Sequence, residues 1–148
     1  MSRFTLLLLP LGLAACDTFE SITVVADVRA EAIADATSEA PWGVFVGVES
    51  EFDSGIAYTT LIHVLCEAEN TDTAFVDSGR GCSTPRDVTV WLAPLDAALT
   101  EPCGATETRV EAMPSGFVQT QEAFAGGDEE ECTSASDQLN FVFRGDPL

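Results

Sequence analysis

Apolar residues recur at every second position in several short runs of this chain, and that spacing is typical of β-strands with one buried face. The alternating apolar positions of the first run, 21–29, are Ile22, Val24, Ala26 and Val28. The following residues, 30–36, fit a helical stripe as well as a strand, because alanine favours helix. We therefore predict a strand over 21–29 and leave 30–36 open between strand and helix.

Two longer runs predict a β-hairpin. Residues 43–51 and 56–67 are rich in β-branched and aromatic side chains, and the triplet Asp53, Ser54, Gly55 stands between them. Such a triplet between two apolar runs favours a turn. The second run is apolar on both faces, so we expect it to form a central strand that is covered on both sides.

The remaining strand candidates are shorter and are separated by segments that contain turn residues. They are 74–76, 87–93, 106–113, 117–124 and 138–144. Short strands at this spacing indicate an all-β fold. We expect a small antiparallel β-sandwich, immunoglobulin-like or transthyretin-like, that residues 21–148 form as one domain.

The first sixteen residues have the layout of a secretory signal. Arg3 precedes an uncharged stretch, and the small residues Ala14 and Ala15 precede Cys16. A basic start, a short apolar stretch and small residues before a cut site are the three parts of such a signal. A membrane-spanning helix needs about twenty apolar residues, so this stretch is too short to span.

The ending Leu13, Ala14, Ala15, Cys16 resembles the lipobox of bacterial lipoproteins. The resemblance covers the leader only and implies a signal peptide, 1–15, that is cut before Cys16. It also implies a diacylglyceryl group on the cysteine sulfur and a fatty acyl chain such as palmitate on the new amino terminus. Residues 16–20 would then be the lipidated cysteine and a short tether, and the domain would lie in the cell envelope, facing the periplasm or the exterior. The alternative is an ordinary signal that is cut near Ala15 and leaves Cys16 as a thiol.

The residue after the cysteine, Asp17, resembles a signal for retention at the inner membrane of enteric bacteria. Sorting rules differ between bacterial lineages. The choice between inner and outer membrane therefore stays open.

The chain is strongly acidic, with a net charge of −19 at pH 7, 25 acidic residues and no lysine. All acidic residues follow Cys16, while Arg3 leaves with the leader. A field of this sign repels nucleic acid and anionic lipid surfaces, so we expect no nucleic acid as a partner. Contact with the lipid bilayer would depend on the lipid at Cys16. A solvated surface explains the acidity most simply, and binding of a cation or a basic partner is the sharper hypothesis.

Four cysteines remain after Cys16 and predict two disulfides, because their number is even and the compartment is oxidising. They are Cys66, Cys82, Cys103 and Cys132, which allow three pairings. A zinc site is disfavoured, since the chain has no CxxC pair and one histidine. Cys66 ends one predicted strand and Cys82 shortly precedes a later one, so we favour Cys66–Cys82 together with Cys103–Cys132.

Residues that could carry chemistry are few. The acidic run Asp128, Glu129, Glu130 and Glu131 follows two glycines and offers oxygen ligands for calcium, although a solvated loop is the simpler interpretation. His63 lies inside an apolar run, where we expect a packed or edge histidine. The chain has no GxSxG motif. We therefore predict no catalytic residues, and no cofactor apart from calcium at the acidic run.

These observations favour a membrane-anchored envelope lipoprotein with a non-catalytic β-sandwich and a structural or protein-interaction role. Its partner would be another, unidentified component of the envelope. A calcium- or ligand-binding module that uses acidic loops is the alternative. A small hydrolase is the third hypothesis, and it requires carboxylates or His63 to converge in a pocket.

Overall fold

The computed structural model describes residues 19–50, 55, 56, 58–80, 85–96, 99, 101–111, 114–124 and 135–145. These residues form eight strands and one short 3₁₀ helix, Ala30–Ile33. The strands are β1 (Phe19–Val28), β2 (Trp42–Val48), β3 (Thr59–Leu65), β4 (Thr71–Arg80), β5 (Arg86–Pro94), β6 (Gly104–Val110), β7 (Phe117–Ala123) and β8 (Ala135–Phe143).

Two sheets pack face to face, and this confirms the predicted all-β sandwich. One sheet has three strands in the order β4-β1-β8, and the other has five in the order β6-β3-β2-β5-β7. Every neighbouring pair is antiparallel except β1 with β8, which run parallel. The first and last strands of the described chain are therefore neighbours that begin at the same end of the sandwich.

The sandwich has two ends, which we name from the direction of β1. The lower end is where β1 begins, next to the start of β8 and the end of β4. In the five-stranded sheet, β5 begins at this same end, since Arg86 at its start forms an ion pair with Glu20 near the start of β1. The upper end is where β1 ends and where β2, β4, β6 and β7 begin. A strand as long as β1, ten residues, separates the two ends by about 33 Å.

The main core lies between the sheets and is built from alternate residues of the strands. β1 contributes Ile22, Val24, Ala26 and Val28, as the alternation in the sequence predicts. The 3₁₀ helix adds Ile33, which is fully buried. The ambiguous segment after β1 is therefore neither a strand nor an α-helix but a single turn that closes the upper end of the core.

A second apolar cluster covers the outer face of the five-stranded sheet. Phe45, Leu61 and Trp91 are buried there, although their strands also face the main core with their alternate residues. A Cβ atom at Gly47 would lie only 3.0 Å from the Trp91 ring, so this glycine lets the indole pack flat on β2. The sheet is apolar on both faces, as the sequence of β3 predicts, and β3 lies between β2 and β6.

The predicted hairpin is confirmed, since β2 and β3 pair antiparallel. β4 differs most from its prediction, because it covers ten residues where the sequence pattern indicates only 74–76. Its outward positions include Asp72 and Ser78, residues that are typical of turns. They are accepted here because β4 is an edge strand whose outer face meets water. β1 also begins earlier than expected, at Phe19, inside the predicted tether.

Side chains of β7 close the gap between the last strands of the two sheets. Gln119 Nε2 donates a hydrogen bond to the Val142 carbonyl at 2.8 Å, and Gln121 Nε2 donates one to the Asn140 carbonyl at 2.7 Å. Both acceptors belong to β8, an edge strand that pairs only with β1 among the described strands. The two glutamines therefore occupy carbonyl groups that another strand would otherwise bind.

A buried ion pair joins the two sheets at the lower end. Arg86 Nη2 lies 2.9 Å from Glu20 Oε2, and the side chains are 9% and 1% exposed. Transfer of either charge from water into this interior is costly unless the opposite charge accompanies it. The pair thus fixes the start of β1 relative to the start of β5.

We expect Arg86→Met and Glu20→Met to lower the free energy of unfolding by about 3 to 5 kcal/mol each, because each removes one charge of a buried ion pair and keeps the other buried. The double variant should recover most of this loss, since it removes both charges. Urea unfolding of all three variants measures these differences. Arg109→Met, which changes an exposed arginine, is the control and should cost under about 1 kcal/mol. A double variant that loses the sum of both single losses would contradict this account.

Candidate functional site

A groove at the upper end of the sandwich is the strongest candidate site in the described part of the chain. Its volume is about 660 Å³, within the range of small-ligand sites. It opens between the starts of β4 and β6, the edge strands on one side of the sandwich. We call it the upper groove, and its lining is Ser38, His63, Val64, Leu65, Cys66, Glu67, Glu69, Asn70, Thr71, Asp72, Cys103 and Gly104.

A β-bulge in β3 directs His63 toward this groove. Phe45 of β2 is opposite Leu61, whereas the preceding residue Val44 is opposite His63, so Ile62 is the extra residue. Without the bulge, Ile62 and His63 would lie on opposite faces of the sheet. With it, His63 takes the register of the core residue Val44 while Ile62 is still buried in the main core. The strand thus buries an isoleucine and places the histidine beside the groove.

His63 is a neutral hydrogen-bonding group in this position. The side chain is half-buried, and burial lowers the pKa of His63 below its ordinary value of 6.5. Its Nδ1 atom is buried and has no hydrogen-bond partner among the described residues. A Ser–His–acid triad needs a carboxylate that holds one ring nitrogen while the other faces the nucleophile. Of the two predicted alternatives, a packed or an edge histidine, His63 is the half-buried one on a central strand, and it lines a groove.

Three carboxylates surround the mouth of the groove. Glu67 and Glu69 belong to the turn between β3 and β4, and Asp72 is near the start of β4. All three are exposed, and none of the described residues that line the groove is an arginine. Sequence reasoning missed these three residues. The only available signal was their position just after the strand that contains the single histidine, and acidic residues are too frequent in this chain for that signal to stand out.

The wall of the groove contains a disulfide between Cys66 and Cys103, whose Cα atoms are 5.8 Å apart. The favoured pairing of Cys66 with Cys82, and with it Cys103 with Cys132, is therefore wrong. It assumed that strands that follow one another in the chain are neighbours. In the structure Cys66 follows β3 and Cys103 precedes β6, and these two strands are antiparallel neighbours that meet at the upper end. β4, which precedes Cys82, belongs to the other sheet and ends at the lower end.

Gly104 continues the chain directly after this disulfide. Its φ of 110° lies in a region that residues with a Cβ rarely adopt. The glycine therefore lets the chain turn from Cys103 into β6 along the wall of the groove.

Several predicted site residues lie outside the described residues. They are Cys16, Cys82, Cys132 and the acidic run Asp128, Glu129, Glu130 and Glu131. Among the residues that the structure does describe, no group of three or more potential ligands could hold a metal ion. The same part of the chain contains no helix that is long and apolar enough to cross a membrane.

The lowered pKa of His63 predicts a pH-dependent contribution to stability. Well above pH 6.5 the imidazole is neutral in both the folded and the unfolded chain. As the pH falls below 6.5, the unfolded chain binds a proton here before the folded chain does, so stability decreases until the pH reaches the folded pKa. We expect His63→Gln to lose less stability over this interval. Urea unfolding at several pH values measures the difference, and parallel curves for both proteins would contradict it.

The strand ends next to Cys82 and Cys132 predict the remaining disulfide. Arg80, the last residue of β4, is opposite Phe19 of β1, and Ala135, the first residue of β8, is opposite the next residue of β1. These two ends thus flank β1 at a separation of about 10 Å, or two strand spacings. A disulfide needs Cα atoms within about 7 Å. In the sequence one residue separates Arg80 from Cys82, and two separate Cys132 from Ala135. We expect mass spectrometry of a non-reduced digest to find Cys82 linked to Cys132, and free thiols at both positions would contradict this.

Comparison of the chain with protein-family models, with characterised proteins and with solved structures finds no match. The chemistry of the upper groove therefore has to be inferred from its own residues. These are a neutral half-buried histidine, three exposed carboxylates and a disulfide, all between two edge strands of a β-sandwich.

Proposed function

We propose that this protein is an envelope lipoprotein, held on a membrane by lipid at Cys16, whose β-sandwich is a non-catalytic interaction domain. The observation that supports this most directly is the position of the two ends. β1 begins at the lower end, and the upper groove opens at the opposite end. A lipid anchor next to β1 would therefore leave the groove facing away from the bilayer.

The short tether would limit the distance between the lower end of the sandwich and the lipid. Asp17 and Thr18 are the only residues between Cys16 and the start of β1 at Phe19. Three residue steps of extended chain span about 10 Å, so the lower end would stay close to the lipid headgroups. With the lower end at the headgroups, the groove would lie about 30 Å farther out, which is about the length of β1. Soluble or membrane-bound components of the envelope could reach it there.

Lipid would provide the membrane affinity without help from the protein's charge. Each buried methylene contributes about 0.8 kcal/mol, and stable anchoring needs two or more chains. The net charge of −19 opposes contact with anionic lipids. The same charge argues against nucleic acid as a partner. A protein component of the envelope remains the best-supported partner.

The geometry of the groove favours binding over hydrolysis. The groove brings His63 together with carboxylates and with Ser38, as the hydrolase hypothesis requires. However, His63 Nδ1 makes no hydrogen bond among the described residues, so no carboxylate there holds the ring through this nitrogen. General-base catalysis depends on that orientation. The same groups serve well as hydrogen-bond acceptors for a bound ligand.

Replacement of the anchoring cysteine tests this proposal. We expect Cys16→Ser to remove the lipid, so the protein should leave the membrane fraction and stop incorporating labelled palmitate. Asp17→Asn is the matched control, because it keeps the cysteine and should stay in the total membrane fraction. Fractionation after a carbonate wash measures both variants. A Cys16→Ser protein that remains on washed membranes would refute the lipoprotein assignment.

A further inference from the structure

We propose that the upper groove binds a positively charged, extended polypeptide segment of a partner protein. This inference rests on the proposed function as an interaction domain and specifies what the domain recognises. Its first support is charge complementarity, since Glu67, Glu69 and Asp72 line the groove and the described lining includes no arginine. The chain also has no lysine. No positive side chain among the described lining residues therefore neutralises these carboxylates.

Three described arginines have a local partner outside the lining of the groove, and a fourth, Arg144, is exposed after β8. Arg86 is buried against Glu20 at the lower end. Arg29 follows β1 at the upper end and pairs with Asp27, which is opposite the groove residue Asp72. Arg109 stacks on the ring of Tyr58, with its Cζ atom 3.3 Å from the ring centre. Arg29, Arg86 and Arg109 are thus held by local partners, and none of the three lines the groove. The field at the groove stays negative and attracts a basic ligand.

The hydrogen-bonding groups of the groove also select a donor. His63 Nδ1 is buried without a partner among the described residues, and a neutral imidazole offers one acceptor nitrogen. Ionised Glu67, Glu69 and Asp72 are acceptors only. A guanidinium or ammonium group supplies several N–H donors and a positive charge at once. The groove therefore matches arginine or lysine side chains better than neutral or acidic ones.

The edges of the groove favour an extended segment over a small cation. β4 and β6 each pair with a single neighbour among the described strands, so each leaves one side of its backbone open. The groove is lined by Thr71 and Asp72 at the start of β4 and by Gly104 at the start of β6. An extended peptide can add its backbone to such an edge while its side chains enter the neighbouring pocket. A volume of about 660 Å³ accommodates a few side chains of such a segment.

Direct binding to the full chain, purified in neutral detergent from whichever fraction contains it, tests this inference. The probe is a fluorescent eight-residue peptide of alternating arginine and serine, and its affinity is measured by anisotropy at about 0.1 M salt. At that ionic strength the Debye length is about 10 Å, so charges at the lower end have little effect on the groove. A peptide with glutamate in place of arginine and the small polyamine spermidine are the comparison ligands.

Two triple variants with the same change in net charge separate local recognition from general attraction. The groove variant is Glu67→Gln, Glu69→Gln, Asp72→Asn, and the matched control is Glu111→Gln, Glu122→Gln, Asp87→Asn, which changes exposed acids at the lower end. We expect the groove variant to weaken binding at least about tenfold, as the loss of three partly screened charge contacts implies. The control should change affinity less than about threefold. His63→Leu should also weaken binding, because it removes the buried acceptor.

Each other outcome overturns the inference. Equal losses in both triple variants would mean attraction by net charge alone. Equal affinity for the arginine and glutamate peptides, or no binding, would exclude a basic ligand. If spermidine binds as tightly as the peptide, the groove recognises a small cation and not a polypeptide segment. Membrane release of Cys16→Ser is independent of these results, so the anchoring proposal and the groove proposal can fail separately.

Discussion

Strand β1 holds the three-stranded sheet together, because both of its neighbours pair with it and not with each other. Its hydrogen bonds reach β4 on one side and β8 on the other, and these strands are distant in the chain. The parallel pairing with β8 places the starts of both strands at the lower end. One strand thus determines where the chain enters the sandwich and which end is left for the groove. The ion pair between Glu20 and Arg86 fixes this strand to the second sheet.

The five-stranded sheet meets a different constraint, since it is apolar on both faces. One face packs against the three-stranded sheet, and the other is covered by connecting residues such as Ile56 and Leu95. The disulfide between Cys66 and Cys103 ties β3 to the edge strand β6 at the upper end. It crosslinks the sheet where β4 and β6 leave the groove open. The groove therefore has one covalently fixed wall in a small domain with a divided core.

The sequence predicted the local elements better than their arrangement. Alternation identified β1, because its four alternate apolar residues all face the core. They are Ile22, Val24, Ala26 and Val28. β4 was underestimated because an edge strand needs apolar residues on only one face. Which strands become neighbours depends on contacts between distant segments, and local alternation carries no information about them. The wrong disulfide pairing had this cause, since it treated successive strands as neighbours.

The residues of the candidate site were also difficult to predict, because their arrangement depends on contacts between distant segments. His63 could be placed on a strand from its apolar neighbours, but its direction depends on the bulge at Ile62, which requires the register with Phe45 of β2. The sequence could not distinguish the three carboxylates of the groove from the other acidic residues, since the chain has 25 of them. Their position gains meaning only from what is missing around them, namely a positive side chain in the lining. Acidic residues spread over a whole surface favour solubility. Recognition of a ligand also needs a groove and hydrogen-bond acceptors without partners at the same place as the acidic residues. Among the described residues, the upper groove is where these features coincide.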